Sequence, residues 1–491
     1  MLWSLKARAF LSAVVGLFAW LWSTYLLRFA ETANGYGSKV ACTCHFIQNR
    51  TLESVAEREL TWPPIALFVR LESDPSTKCV VSRLKWLPSI GVRRACMSND
   101  KRLGCSIVSR HKTTELSARH SGHGSKDIEV NDDTDVFRVS PEHQIQSSLL
   151  DDHMKDDWLH SRALLVVNAT SFPAQILYER YGDGMTASTP QAGWSMTKSL
   201  FAMLVGALQM YKQDAFPLGL ETRALEDGTT VEQLLRMVDG LDWDEVYSAF
   251  TDPVNMLFLD ENATTSISKK RASVGKCFRY SSKSSNLLSR WIRSLFPSDQ
   301  EYHDFPFKVL FSRINARSAI VERDPAGTFV ASSFSMMTAR DWARLGILLA
   351  REGSWPVLID GYRREEQIIP KSFVRALRSV TPTSRAMYGL HFWLGGGSPT
   401  STESEDRVVR ECDELYRARV SPSRAWYHQL PKETFFMTGF EGQYVIVDPV
   451  RKLVVVRLGA SKEQMPGWKV FLPGELFPPL LNEILSFPPE R

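Results

Sequence analysis

The order of apolar and polar positions divides the chain into stretches of different character. The longest apolar run comes first: Lys6 and Arg8 precede an uncharged stretch from Ala9 to Leu27, closed by Arg28. Its length falls in the roughly 17–25 residues that cross a bilayer as a helix. Trp20, Trp22 and Tyr25 gather toward one end, where amphipathic aromatics favour the membrane interface. A cleaved signal peptide has a shorter apolar core, about 7–15 residues. The pattern therefore predicts a membrane anchor or signal over residues 1–33, uncleaved and cytoplasmic on the Lys6/Arg8 side. The rest of the chain would then be extracytoplasmic or lumenal; a secreted or a mitochondrial protein is the alternative, since no acid precedes Glu31.

Residues 34–105 read as a small β-rich region. Ile65-Ala-Leu-Phe-Val-Arg-Leu71 and Cys79-Val-Val-Ser-Arg-Leu-Lys-Trp86 are strand-like runs separated by Asp74-Pro75-Ser76. Residues 106–146 are dominated by Ser, His, Lys, Asp and Gly, the composition of a linker or surface insertion. The main domain, 147–491, opens with Ala163–Val167 and Ala174–Arg180 around a turn at Ser171-Phe172-Pro173, a hairpin pattern. From Ser195 the periodicity becomes that of a helix apolar on most sides, hence buried. The stretch 212–390 is mainly helical in pattern, and Thr338–Leu349 is clearly amphipathic. Residues 396–425 read as an exposed polar insertion, and Gln443–Val447 and Leu453–Arg457 as a final strand pair around Asp448-Pro449. A strand pair, helices, then a strand pair implies an α/β (α+β) fold whose one sheet takes its edges from both ends of the domain.

Composition adds little to this picture except in what it excludes. The chain has 491 residues and a formal charge of +4, with no basic stripe interleaved with aromatics, so nucleic acid is not an expected partner. Five of the seven cysteines (Cys42, Cys44, Cys79, Cys96, Cys105) crowd into the segment after the apolar run. That crowding suggests one or two disulfides in an oxidising compartment, with connectivity left open. Sequons at Asn49, Asn168 and Asn262 are compatible with glycosylation in a lumen. No His/Cys spacing suggests zinc.

The chemistry centres on Ser195-Met-Thr-Lys198. Positions i and i+3 share one helix face, so the hydroxyl and the amine can meet. A serine needs an adjacent base to become a nucleophile, and a lysine serves only where burial lowers its pKa. The apolar helix supplies that burial, and its first N–H groups can stabilise an oxyanion. Ser-x-x-Lys also starts at Ser82, Ser98, Ser109, Ser266 and Ser273. Only Ser195 combines a preceding Gly-Trp, a helix start and an apolar continuation.

Gly193-Trp-Ser-Met-Thr-Lys-Ser199, preceded by Tyr178-Glu-Arg-Tyr-Gly182, resembles the β-lactamase-related serine hydrolases. That family includes class C β-lactamases, DD-peptidases, esterases and 6-aminohexanoate-dimer hydrolases. Leu234–Trp243, Arg279–Ser282, Met337–Gly346 and Gly439–Pro449 are similar to its further conserved stretches, in the family's order. The resemblance implies a β-lactamase/transpeptidase-like fold, an antiparallel sheet with helices on both faces beside a mostly helical subdomain. It implies hydrolysis through an acyl-enzyme with no metal or organic cofactor. Tyr280-Ser281-Ser282 looks like the second motif, Tyr280 shuttling the proton and Ser282 orienting substrate or Lys198. The third motif usually carries Lys-Thr-Gly or His-Thr-Gly; here it is Met437-Thr438-Gly439. A cation there binds the carboxylate of penicillins and peptides. Its loss favours a small ester or amide without that carboxylate, and the second oxyanion N–H falls at Gly439 or just after it, at Phe440. A Ser-His-Asp arrangement is the competing constellation, but no Gly-x-Ser-x-Gly precedes His391 or His428, which read as structural or surface histidines. From a different class, the same fold could serve as a catalytically silent, membrane-tethered scaffold.

Overall fold

The computed structural model describes residues 2–60, 65–109, 136–141, 144–156, 159–211, 219–247, 251–259, 269–359, 362–396, 403–416, 429–461, 479–480 and 482. The chain divides into two compact units: residues 1–99, 105–123 and 246–262 form the first, and the remainder forms the second.

The first unit is built on one long helix, α1 (Leu2–Phe46). Beside it lies an antiparallel sheet of β1 (Val69–Asp74), β2 (Cys79–Leu84), β3 (Arg93–Met97) and β4 (Cys105–Ile107), in that order. The expected run Cys79–Trp86 contains β2; of Ile65–Leu71 only Val69–Leu71 falls in β1, Ile65–Leu67 forming a short 3-10 turn, and 34–46, expected within a β-rich region, continues α1. Its small residues explain why: Ala30, Ala33, Ser38 and Ala41 let the helix lie close against β2 and β3. Asn34 ties the two together, donating to the Gly91 carbonyl at 2.8 Å and accepting from Ser82 Oγ at 3.0 Å. Disulfides Cys42–Cys105 and Cys79–Cys96 close the unit, and Cys44 is a buried cysteine outside these disulfides. Most side chains of Ala9–Leu27, where the anchor is expected, lie outside the described residues. Among the described residues no helix is long and apolar enough to cross a membrane, so the structure does not support that anchor. The expected linker 106–146 also falls largely outside them, as does Asn262; Asn49 is exposed, and Asn168 accepts from the Thr170 N–H.

The second unit carries the expected fold. Its sheet is formed by β5 (Phe137–Arg138), β6 (Ser161–Asn168), β7 (Ala174–Tyr181), β8 (Trp393–Leu394), β9 (Phe435–Gly439), β10 (Gln443–Asp448) and β11 (Leu453–Gly459). Their spatial order is β8-β9-β10-β11-β6-β7-β5, antiparallel except for the short β5–β7 pairing. The C-terminal hairpin is set by Asp448, whose Oδ1 accepts from the N–H groups of Val450 and Arg451 at 3.0 and 3.1 Å, a turn chemistry specific to Asp and Asn. Because β11 then pairs with β6, the two ends of the domain meet in the middle of the sheet.

Period-two alternation sorts the strands onto two faces. Tyr444, Ile446, Leu453 and Val455 join Leu150 of helix α2 (Ser148–Lys155) and Leu480 in one core. On the opposite face, helix α5 (Ala339–Ala350) packs across β6, β10 and β11. Between these helices in the chain come α3 (Met196–Tyr211) and α4 (Ser282–Ser294). The segment read as an exposed insertion at 396–425 instead contains helix α6 (Glu403–Tyr416), tied down by the Cys277–Cys412 disulfide and burying Tyr416 against Ala272. Polar residues on one helical face hid the buried one.

The approach of α5 to the sheet is limited by Gly346: a β-carbon there would stand 2.4 Å from Cγ1 of Val454. Gly346→Ala is therefore expected to cost roughly 1–3 kcal/mol through overpacking, although alanine favours helices. Urea unfolding of the two proteins measures this, and an equal or higher midpoint for the variant would contradict the packing described.

Candidate active site

Three segments of the second unit converge around the start of α3. The first turn of that helix is tight, with the N–H groups of Met196, Thr197 and Lys198 each bonding the residue three back at 3.0 Å. Trp194, just before the serine, has φ of +47°, a region a bulky side chain rarely adopts. Such backbone costs on the order of 1–3 kcal/mol and persists only where its surroundings hold it. Here Gly193 N–H donates to the Ser335 carbonyl at 2.9 Å, and Thr197 Oγ1 lies 2.7 Å from Ser335 Oγ. The bend leaves Ser195 partly open to solvent at the helix N-terminus.

Lys198 is 1% exposed, and its Nζ lies 3.0 Å from Ser195 Oγ and 2.8 Å from the Ser332 carbonyl. Burial depresses it from the ordinary lysine value to about 8, with Glu245 pulling the other way. The Ser332 carbonyl is itself fixed, because the Ser332 N–H donates to Asn286 Oδ1 on α4 at 3.1 Å. The ammonium also sits 5.0 Å from the centre of the Tyr280 ring, which packs against Tyr388 and Trp393. Ser195, Lys198 and Tyr280 are therefore brought together.

Ser282 meets a residue that the sequence reading did not single out. Fully buried in the first turn of α4, it donates its hydroxyl to Glu245 Oε1, and its backbone N–H reaches Glu245 Oε2 at 2.8 Å. The carboxylate, absent from the motif reading, thus receives the hydroxyl expected to orient substrate or Lys198. Its position two residues after Trp243 gave no chemical pattern to find it by.

Strand β9 runs beside Ser195. A β-carbon on Gly439 would lie 2.1 Å from the Gly193 carbonyl oxygen, so only glycine permits this approach. Phe440 is 39% exposed, and its ring meets Trp194 edge-on at 5.8 Å. Met437 is wholly buried in β9, leaving no side-chain charge at that motif position.

His391 is buried and structural in its contacts: Nδ1 lies 2.7 Å from the Leu235 carbonyl and Nε2 2.8 Å from Ser285 Oγ. Burial first, then the neighbouring Lys198 charge, holds it down to about 3, so it stays neutral. His428 lies outside the described residues.

A β-lactamase family model matches residues 150–467. The chain belongs to the β-lactamase family, and its second unit has the fold of that family's serine hydrolases. No curated protein matches it by sequence. Among solved structures, it is similar to a protein classed as a 6-aminohexanoate-dimer hydrolase from Bacillus anthracis, at 19% identity over 72% of this chain and 88% of that one, with a TM-score of 0.49. A β-lactamase from Mycobacterium bovis is 16% identical over 69% and 99%, with a TM-score of 0.45. A penicillin-binding protein homologue from Caulobacter crescentus is 15% identical over 64% and 90%, with a TM-score of 0.42.

The His391 contacts have a spectroscopic consequence. A histidine at its ordinary value would titrate near 6.5, whereas this imidazole should keep its neutral-form NMR shifts down to about pH 4. Titration near neutrality would show that the buried arrangement does not form.

Proposed function

We propose that the chain is an acyl-enzyme serine hydrolase acting on a small ester or amide. The observation that carries this reading is the buried Lys198 amine 3.0 Å from Ser195. In its neutral form Lys198 accepts the Ser195 proton as the hydroxyl attacks the acyl carbonyl. Tyr280, beside Lys198, passes that proton to the leaving alcohol or amine. The oxyanion lies at the start of α3, where the Ser195 N–H and the backbone after Gly439, at Phe440, are its donors. Water then attacks the acyl-enzyme along the same proton route in reverse, restoring Ser195.

Met437 replaces the cation that would clasp a substrate carboxylate, which favours uncharged esters and amides over penicillins or D-Ala-D-Ala peptides. The three disulfides favour an oxidising compartment, extracytoplasmic or lumenal, for the folded protein.

Incubation with a fluorophosphonate and with activated esters, followed by intact-mass analysis, tests the nucleophile. A single adduct or turnover is expected, and both should vanish in Ser195→Ala. A folded parent protein that stays unmodified and inactive would favour the scaffold reading instead. The pH dependence gives a second check. Below about 8 Lys198 is mostly ammonium and cannot accept a proton, so kcat/KM should rise with pH through a limb near 8. A limb near 6.5 would point to a histidine base.

A further inference from the structure

We propose that Glu245 is a positioning residue of this site, fixing Ser282 through hydrogen bonds and acting on Lys198 through its charge. The proposal rests on the hydrolase reading above for its catalytic consequence, but its geometry is independent of turnover.

The carboxylate is held from two sides. Trp243 Nε1–H donates to Oε2 at 2.6 Å, and the Ser282 N–H donates to the same oxygen at 2.8 Å, while the Ser282 hydroxyl donates to Oε1. Trp243 is 3% exposed and Ser282 is fully buried, so neither donor has ready access to water as a substitute. Ser282 opens a 13-residue helix, α4, whose N-terminal end favours a negative charge. A serine hydroxyl has one proton to give. With that proton committed to Glu245, Ser282 Oγ can only accept from any further partner, whether a substrate N–H or the Lys198 ammonium. Glu245 therefore decides the polarity of the second motif's serine.

The same carboxylate acts on the base. The titratable groups that bear on Lys198 are Glu245, ahead of α4, Tyr280, whose ring faces the ammonium, and His391, which is held neutral. Burial drives Lys198 to give up its proton and the Glu245 charge opposes that loss. Removing the charge while keeping the shape should lower the pH at which Lys198 becomes a base.

The experiment is an NMR titration of the Lys198 side chain, assigned by comparison with Lys198→Ala, in the parent protein and in Glu245→Gln. The midpoint should fall by about half a pH unit or more in the variant. Glu245→Asp keeps the charge but withdraws it by one methylene, and should move the midpoint in the same direction by less. It serves as the reading if Glu245→Gln does not fold. Trp243→Phe removes one hydrogen bond and no charge, so a purely structural role predicts that it behaves like Glu245→Gln. The proposal predicts a midpoint close to the parent's. Unchanged midpoints in both glutamate variants would overturn it. In an active enzyme the ascending limb of kcat/KM should move with the midpoint. A moving midpoint in a protein that fluorophosphonate never labels would leave the Glu245 assignment standing and defeat the hydrolase reading.

Discussion

The site depends on the burial of one lysine. Relative to water, holding the Lys198 ammonium at a value near 8 corresponds to roughly 3 kcal/mol against the charged form. In the proposed mechanism that cost makes the amine available as a base, with about a tenth of it neutral at pH 7. The surroundings offset part of it without restoring full basicity, through one carbonyl, one aromatic face and one carboxylate. A lysine in water would be too protonated to act, and one in a wholly apolar cavity would not be held in place.

Much of the second unit can be read as the scaffold for that compromise. Helix α3 is apolar almost all round, so its first turn is forced into the interior together with Lys198. Segment Ser332–Ser335 bonds to both ends of the turn, through the Ser332 carbonyl to Lys198 and the Ser335 carbonyl to Gly193. Helix α4 contributes Asn286 to fix Ser332, Ser285 to fix His391, and Ser282 to meet Glu245. These polar contacts are buried, where an unmade hydrogen bond costs more than in water. The arrangement is accordingly specific in geometry as well as in composition.

The mouth of the site has a different chemistry. Trp194 and Phe440 meet edge-on beside Ser195, and β9 carries the buried, uncharged Met437. On the proposed hydrolase reading, a substrate would meet aromatic surface there.

By itself, the sequence determined the parts governed by local pattern. Alternating strands near both ends of the domain announced the sheet, the apolar continuation after Ser195 announced a buried helix, and i, i+3 spacing put Lys198 beside the serine. It also showed that Met437 carries no charge. Other features depended on distant pairing. Cys277 and Cys412 come together only because α6 folds a polar-looking segment back onto the domain, and its narrow buried face through Val409, Cys412 and Tyr416 cannot be told from composition. Glu245 likewise looks like any loop acid until α4 brings Ser282 to it, and Ser282's hydroxyl then points where the tertiary structure supplies an acceptor. Local spacing fixes which groups lie on one helix face. Which carbonyls, carboxylates and rings surround a buried charge is decided by contacts between segments far apart in the chain, and those same contacts set its protonation.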